Sequence, residues 1–350
     1  MPILHISRHQ YYYKPKGTRP GKTPTKTTDR LVDGKKVTET NEQVIDQVKK
    51  IKSDPDTDYG YRKMYFALMI LGYYINHKKV YRLMKEHQML KERHKPKEKN
   101  YVHYRIVVPE GPLEVLEMDI KYVWLVKERR HAFILTVIDT FTRFILHWKV
   151  GLWMKSSDVK QVWEEVIATH LQPADMLNKK IHIEIRNDNG PQFGSKMIQE
   201  FFKDNHLNQV FTHPYTPQEN GHVESFHNIL SNALGNQSYW NLDQLTTTLT
   251  VFYEKYNNTR LHGSIANLPP KLFWELWEKK MITREVKKHN KVKFILNIAY
   301  QQLSDNANLR EVPCLNPAAL DGQLDLHNEA IGPETLQQPS AQRSPSVVPC

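Results

Sequence analysis

The sequence predicts an α/β core preceded by a small all-α domain, and three observations predict it. Between residues 113 and 150, three apolar, β-branched runs follow one another across short connections, which favours antiparallel strands. From residue 156, amphipathic helical runs alternate with two further short strands, which makes the sheet mixed. Upstream, residues 42–90 repeat apolar positions at spacings of three and four, the period of a helix.

Residues 1–40 mix Lys, Arg, Pro, Gly and Thr with little periodicity, and read as a basic extended or disordered arm. Val44, Ile45, Val48 and Ile51 then share one helical face, and Pro55 breaks the run. Met64, Ala67, Leu68 and Leu71 mark a second helix, with Gly72 placed to turn the chain. Asn76 can cap a third, in which Val80, Leu83 and Met84 alternate with Lys78, Lys79, Arg82 and Lys85. Such a three-helix unit, residues 41–92, fits a helix-turn-helix DNA reader or a small bundle with a charged outer face. Residues 93–109 are a basic linker.

Within residues 110–281, strands are expected at 113–126, 131–141 and 143–150. A helix follows at 156–171, capped by Ser156 or Ser157. A strand at 181–186, a helix at 195–205, a strand at 208–212 and helices at 219–234, 243–256 and 270–281 complete the core. Three antiparallel strands followed by alternating helices and strands describe a ribonuclease H-like mixed sheet. Residues 282–350 form a C-terminal extension. From about residue 301 it is Ser/Pro/Gln-rich, carries 2 basic and 6 acidic residues, and is expected to be disordered.

Composition removes several classes of function. No stretch approaches the ~18–20 apolar residues of a membrane span, and the first residues lack an apolar signal region, so a cytoplasmic protein with no membrane partner is expected. Two cysteines, Cys314 and Cys350, make neither a disulfide framework nor a four-ligand zinc site. The net charge of +11 is uneven: residues 1–105 carry 24 Lys/Arg against 11 Asp/Glu. This basic front fits a polyanionic partner, most simply nucleic acid, or a solvated arm.

Three carboxylates sit where charge is unexpected. Asp119 interrupts the apolar run Val115-Leu116-Glu117-Met118-Asp119-Ile120, and alternation puts it on one face with Glu117. Asp188 directly follows the 181–186 strand, at the carboxyl end where open α/β sheets place ligands. Glu224 lies on a helix whose Val223, Phe226, Leu230 and Ala233 form a buried side. Asn220, Glu224, Asn228 and Ser231 form a polar stripe, a candidate DNA-facing surface. Oxygen donors of this kind suit Mg2+, and two ions ~3.5–4 Å apart stabilise both the attacking and the leaving oxygen of phosphoryl transfer. Singly, each acid also reads as a turn or surface residue; Asp139, at a strand end, reads as structural.

In combination the acids and their flanks resemble the retroviral integrase superfamily. Asp119, Asp188 and Glu224, with 35 residues between the last two, resemble its D,D(35)E signature. Asp188-Asn189-Gly190-Pro191-Gln192-Phe193, the segment from Thr216 to Phe226, and Tyr256-Asn257-Asn258-Thr259-Arg260-Leu261-His262 are similar to its flanking motifs. Gly60-Tyr61-Arg62 and the run from Asn76 to Glu86 resemble the helix-turn-helix of the second reading-frame product of insertion-sequence three family transposases.

The resemblance implies Mg2+-dependent cleavage and strand transfer at the ends of a mobile element. Asp119, Asp188 and Glu224 would be the catalytic metal ligands for two ions, with Mn2+ as a substitute. It further implies double-stranded DNA as partner (element ends and target), a homo-oligomer on DNA, an upstream-frame transposase subunit and a nucleoid location. In the third helix, Asn76, His77, Lys78, Lys79, Arg82 and Lys85 are the DNA-contact candidates. Many relatives carry Lys or Arg where this chain has Ser231. A silent DNA-binding regulator and a ribonuclease H-type nuclease are the alternatives. The separation of the basic front from the acids predicts that residues 40–105 bind DNA and residues 106–300 hold the chemistry as independent fragments.

Overall fold

The computed structural model describes residues 8–14, 23–91, 108–178, 182–212, 220–235, 238–287 and 291–305. Most of the 93–109 linker, the 213–219 segment ahead of Glu224 and the tail from residue 306 lie outside the described residues.

After a short helix α1 (Arg8–Tyr12), the amino-terminal domain begins with strands β1 (Thr27–Val32) and β2 (Lys35–Thr40). They pair antiparallel across Asp33-Gly34, both at positive φ (48° and 72°), the geometry of a two-residue hairpin turn. The expected extended arm over residues 1–40 therefore does not hold at residues 27–40. The Asp-Gly pair between two Thr/Val-containing runs was the local signal. Helix α2 (Asn41–Ser53) opens with a capping box, Gln43 N–H donating to Thr40 Oγ1 and Thr40 N–H to Gln43 Oε1. Its buried face is Val44, Ile45, Val48 and Ile51, as the periodicity predicts.

Helix α3 (Tyr61–Ile70) ends at Gly72, where φ is +91° and a Cβ would stand 2.3 Å from the Leu31 carbonyl oxygen. That approach lets β3 (Tyr73–Tyr74) pair with β1. Helix α4 (His77–Glu86) follows, with Asn76 as its N-cap accepting from Lys78 N–H at 2.8 Å.

The core is a five-stranded mixed sheet, β4 (Val115–Leu125), β5 (Arg130–Asp139), β6 (Ile145–Gly151), β7 (Ile183–Asn187) and β8 (Leu207–Phe211), in the order β6-β5-β4-β7-β8. The first three are antiparallel; β7 and β8 run parallel to β4. This is the ribonuclease H-like arrangement the sequence predicts. Helix α5 (Ser156–Val166), continued by a π-helical turn over Ile167–Leu171, and α6 (Lys196–Asp204) cover one face. There Trp163 and Phe202 meet edge to face over Leu116, Met118, Leu135 and Val137. The cap of α5 falls at Lys155 rather than at Ser156 or Ser157; Asp158 closes that turn by accepting from Lys155 N–H. Helices α7 (Gly221–Leu234) and α8 (Leu242–Asn258) cover the other face, where Phe226, Leu230, Leu249 and Phe252 bury Ile134 and Ile138. At the sheet edge, the Asn257 side chain pairs with both Ile145 N–H and Ile145 carbonyl, extending β6 by one side-chain rung.

Helix α9 (Pro270–Glu278) leads into a hairpin, β9 (Ile282–Lys287) with β10 (Lys291–Leu296), and a 3-10 turn at Tyr300–Asp305. The start of the expected disordered tail is thus structured to residue 305: Leu303 is fully buried and Gln301 Nε2 donates to Tyr73 carbonyl. A third apolar cluster joins the two domains. Met64, Leu68 and Met84 of the helical domain share it with Phe141, Leu261, Ile265, Phe273, Phe294 and Leu303. Polar ties reinforce the seam: Lys255 Nζ to Asp54 at 2.8 Å, Arg260 Nη1 to Asp56 carbonyl at 2.7 Å, and Leu261 N–H to Tyr59 hydroxyl at 2.9 Å. The Tyr256-to-His262 motif is therefore a domain clasp. A division near residue 105 would split a common core, contrary to the expected independence of the two fragments.

Phe273 is fully buried in this seam, against Phe141 and Phe294. Phe273→Ala is expected to cost about 3–5 kcal/mol and to lower the unfolding midpoints of both domains together. Chemical denaturation followed by far-UV circular dichroism and tryptophan fluorescence checks this; two well-separated transitions, with only one displaced, would refute a shared core.

Candidate active site

Parallel pairing of β4 with β7 builds the site. Val115, Leu116 and Glu117 stand opposite Glu184, Ile185 and Arg186. That pairing ends at Glu117 and Arg186; Asp119 lies two residues further along β4 and Asp188 just past the end of β7, close enough for the charge of Asp119 to act on Asp188. Period-two alternation turns both towards the face covered by α7. Ile183 and Ile185, one residue out of phase, enter the opposite core.

Each acid is held differently. Asp119 Oδ1 accepts from Ile120 N–H at 2.8 Å, and Oδ2 lies 3.3 Å from His227 Nδ1 on α7. Asp188 is exposed at the end of β7, and its Oδ1 accepts from Gly190 N–H at 3.0 Å. A Cβ at Gly190 would stand 3.0 Å from that oxygen and 2.5 Å from Gln192 Nε2, so a larger residue there would displace the Gln192 side chain. Phe193, fully buried, anchors the turn to the core. Glu224 is exposed on the first turns of α7, whose Val223, Phe226 and Leu230 are buried as expected; Ala233 is only half-buried and Leu234 is buried.

The site carries excess negative charge. Partial desolvation at the strand end raises the Asp188 carboxyl above its ordinary value, the bond from Gly190 opposes this, and the charge of Asp119 raises it further. Burial raises the Glu224 carboxyl, with added repulsion from Asp119 and Glu117. Tyr122 is raised by burial and by the charges of Asp188 and Asp119. The three predicted acids thus share one electrostatic environment. Among the described residues, no three His, Cys, Asp or Glu side chains are gathered into a metal cluster. The donor chemistry nevertheless fits a hard cation: two of the acids are raised by desolvation and then by neighbouring charge, and a divalent ion would relieve the repulsive part.

Asp139 is a structural residue, as expected. It is fully buried and accepts from Leu113, Phe141 and Thr142 N–H and from the Thr142 hydroxyl. The polar stripe of α7 is only partly as expected. Asn228 is exposed, but Asn220 is 6% exposed with its amide towards the Met118 carbonyl. Ser231 is half-buried and donates back to the His227 carbonyl.

On α4, Asn76, His77, Lys78 and Lys85 are exposed. Lys79 instead donates to Thr25, Thr27 and Thr28, and Arg82 to Glu86 and the Thr25 carbonyl. These two candidates brace the helix against the hairpin. Sequence reading gave no role to Glu117, His222 or His227. Glu117 was visible as a second acid on the Asp119 face; the histidines became legible only when α7 was docked.

Residues 109–217 and 205–270 match Integrase core domain families, and residues 39–97 match an HTH-like domain. A protein of insertion element IS476 from Xanthomonas euvesicatoria is 25% identical over 217 residues, covering 61% of this chain and 60% of that one. InsK of insertion sequence element IS150 from Escherichia coli is 26% identical over 224 residues, covering 61% and 76%. The chain therefore spans less than two thirds of the first of these relatives. Among solved structures, the catalytic core domain of BIV integrase is 19% identical, with a TM-score of 0.35, over 48% of this chain and 97% of that one. No helix among the described residues is long and apolar enough to cross a membrane.

The charge coupling has a measurable consequence. Asp188 and Glu224 keep their protons to higher pH when folded than when unfolded. Each therefore lowers stability as pH rises from its unfolded to its folded pKa, and the loss is complete above the latter. Asp119→Asn removes a repulsive charge from both. The metal-free variant should melt higher than wild type at about pH 7 and lose that advantage near about pH 3. Thermal scans across this range check it; a lower melting temperature for the variant at neutral pH would contradict the coupling.

Proposed function

We propose that this protein is a DNA transposase that cuts and rejoins DNA at the ends of a mobile element, with Asp119, Asp188 and Glu224 as the metal-holding acids. The observation that supports the reading is the parallel β4–β7 pairing, which brings the strand carrying Asp119 alongside the strand that runs into Asp188, with the helix bearing Glu224 beside Glu117. The Integrase core domain and HTH-like domain matches support it, as do relatives from insertion elements, one of which bears the designation transposase. The finer assignment is to the second reading-frame product of the insertion-sequence three family.

Asp119, Asp188 and Glu224 would hold two Mg2+ ions, or Mn2+ in their place. When bound, such ions activate the attacking hydroxyl and stabilise the leaving 3′-oxygen. The chain's own part is positional. β4 carries Asp119, the end of the neighbouring β7 leads into Asp188, the Gly190 N–H holds Asp188, and His227 lies beside Asp119. The α4 surface supplies Lys78 and Lys85 for double-stranded DNA. Assembly as a homo-oligomer on element ends and target belongs to the same reading.

Metal-dependent nicking and joining of an element-end oligonucleotide tests it. Asp119→Asn, Asp188→Asn and Glu224→Gln should each reduce both steps to background while the protein stays folded. Binding without cutting would indicate a regulator, and cutting without joining a nuclease; either outcome overturns the proposal.

A second expectation concerns the helical domain. Lys78→Ala and Lys85→Ala should each weaken end-DNA binding and reduce the slope of log affinity against log salt by about one. Lys79→Ala should act chiefly on hairpin stability, because its ammonium is already held within the chain. Fluorescence anisotropy from low to moderate salt separates the two; an unchanged slope for both Lys78 and Lys85 variants would move the DNA surface elsewhere.

A further inference from the structure

Helix α7 begins without a capping bond from its own N-cap side chain. Asn220 holds the N-cap position, yet its side chain makes no capping bond; its amide points to the Met118 carbonyl instead. The first turn of a helix leaves N–H groups unpaired, and an N-cap side chain ordinarily serves those at the second and third positions. Here these are His222 and Val223, and both donate to one oxygen of Glu117, at 2.9 and 2.8 Å. The other Glu117 oxygen lies 2.7 Å from His222 Nδ1. Glu117 is 1% exposed. A carboxylate buried this deeply is tolerated only when its hydrogen-bonding capacity is met, and a helix N-terminus favours negative charge.

Glu117 lies two residues before Asp119 on the same face of β4, and Val223 immediately precedes Glu224. We infer that Glu117 is a positioning residue. It caps α7 across the tertiary structure and thereby sets Glu224 at a fixed distance from Asp119. It does so from the sheet. The inference rests on the proposed role of Asp119 and Glu224. It assigns Glu117 no bond to metal or DNA.

The two roles separate chemically. Glutamine keeps a carbonyl oxygen for the two backbone donors, and its amide can donate to His222 Nδ1 in the appropriate tautomer. Alanine offers nothing. In the full-length, metal-free chain, hydrogen exchange at the His222 and Val223 amides should accelerate at least about tenfold in Glu117→Ala and stay within about threefold of wild type in Glu117→Gln. In the nicking assay, Glu117→Ala should lower kcat about tenfold or more with little change in KM, and Glu117→Gln should restore most of it.

Unchanged amide exchange in Glu117→Ala would overturn the inference. So would a Glu117→Gln protein as inactive as Asp119→Asn, which would make Glu117 a ligand. If Glu117→Ala fails to fold, the Glu117→Gln arms still decide. If wild type neither cuts nor joins, the proposed function fails, while amide exchange still reports whether the cap holds α7.

Discussion

Three rungs of parallel backbone pairing, from Val115–Glu184 to Glu117–Arg186, govern the arrangement of the chemistry. Parallel neighbours require a long crossover, which places α5 on one face of the sheet. The same pairing leaves the end of β7 beside the middle of β4, where a strand end meets a continuing strand. Polar groups there can face solvent while their backbones remain paired. A shift of one residue in β7 would carry Asp188 to the face opposite Glu117 and Asp119. The apolar residues out of phase, Ile183 and Ile185 against Leu116 and Met118, oppose that shift because they are fully packed under α5 and α6.

The face that carries the acids is also the face that α7 must cover, and this creates an electrostatic conflict. Apolar burial by Phe226 and Leu230 draws the helix down, while the carboxylates below it repel Glu224. Glu117 resolves part of the conflict, since its charge is spent on helix N–H groups and His222. Repulsion remains between Asp119 and both Asp188 and Glu224, and between Glu117 and Glu224.

The two domains are joined more closely than the basic segment between them suggests. Aromatic packing of Phe141, Phe273, Trp277 and Phe294 forms the floor on which the helical domain rests, and the 3-10 turn after β10 folds back onto α3 and β3. Arg260 and Lys255 reach from the end of α8 to the loop between α2 and α3. The position of α4 relative to the acids is thereby a property of the folded chain.

Periodicity alone marked the helices of both domains, the five core strands and the caps at Asn76 and Gly72, because these follow from local sterics and from which side chains leave water. Asp119 was visible as a charge inside an apolar run and Asp188 by its place after a strand, while the set with Glu224 rested on the resemblance of their spacing and flanks to the integrase superfamily. The register that makes neighbours of Asp119 and Asp188 is not local; 68 residues separate them, and only packing on both sheet faces decides it. The same holds for Asn220, which falls on a polar helical stripe yet is buried against β4, and for Lys79 and Arg82, which a basic helix presents as DNA contacts but the hairpin engages. The β9–β10 hairpin and the 300–305 turn have weak patterns of their own and gain their structure from the apolar seam they close. Pattern in the chain records what each residue prefers next to water; which residues meet is settled by the packing that buries Phe273 in the seam and gives the buried Glu117 carboxylate its donors.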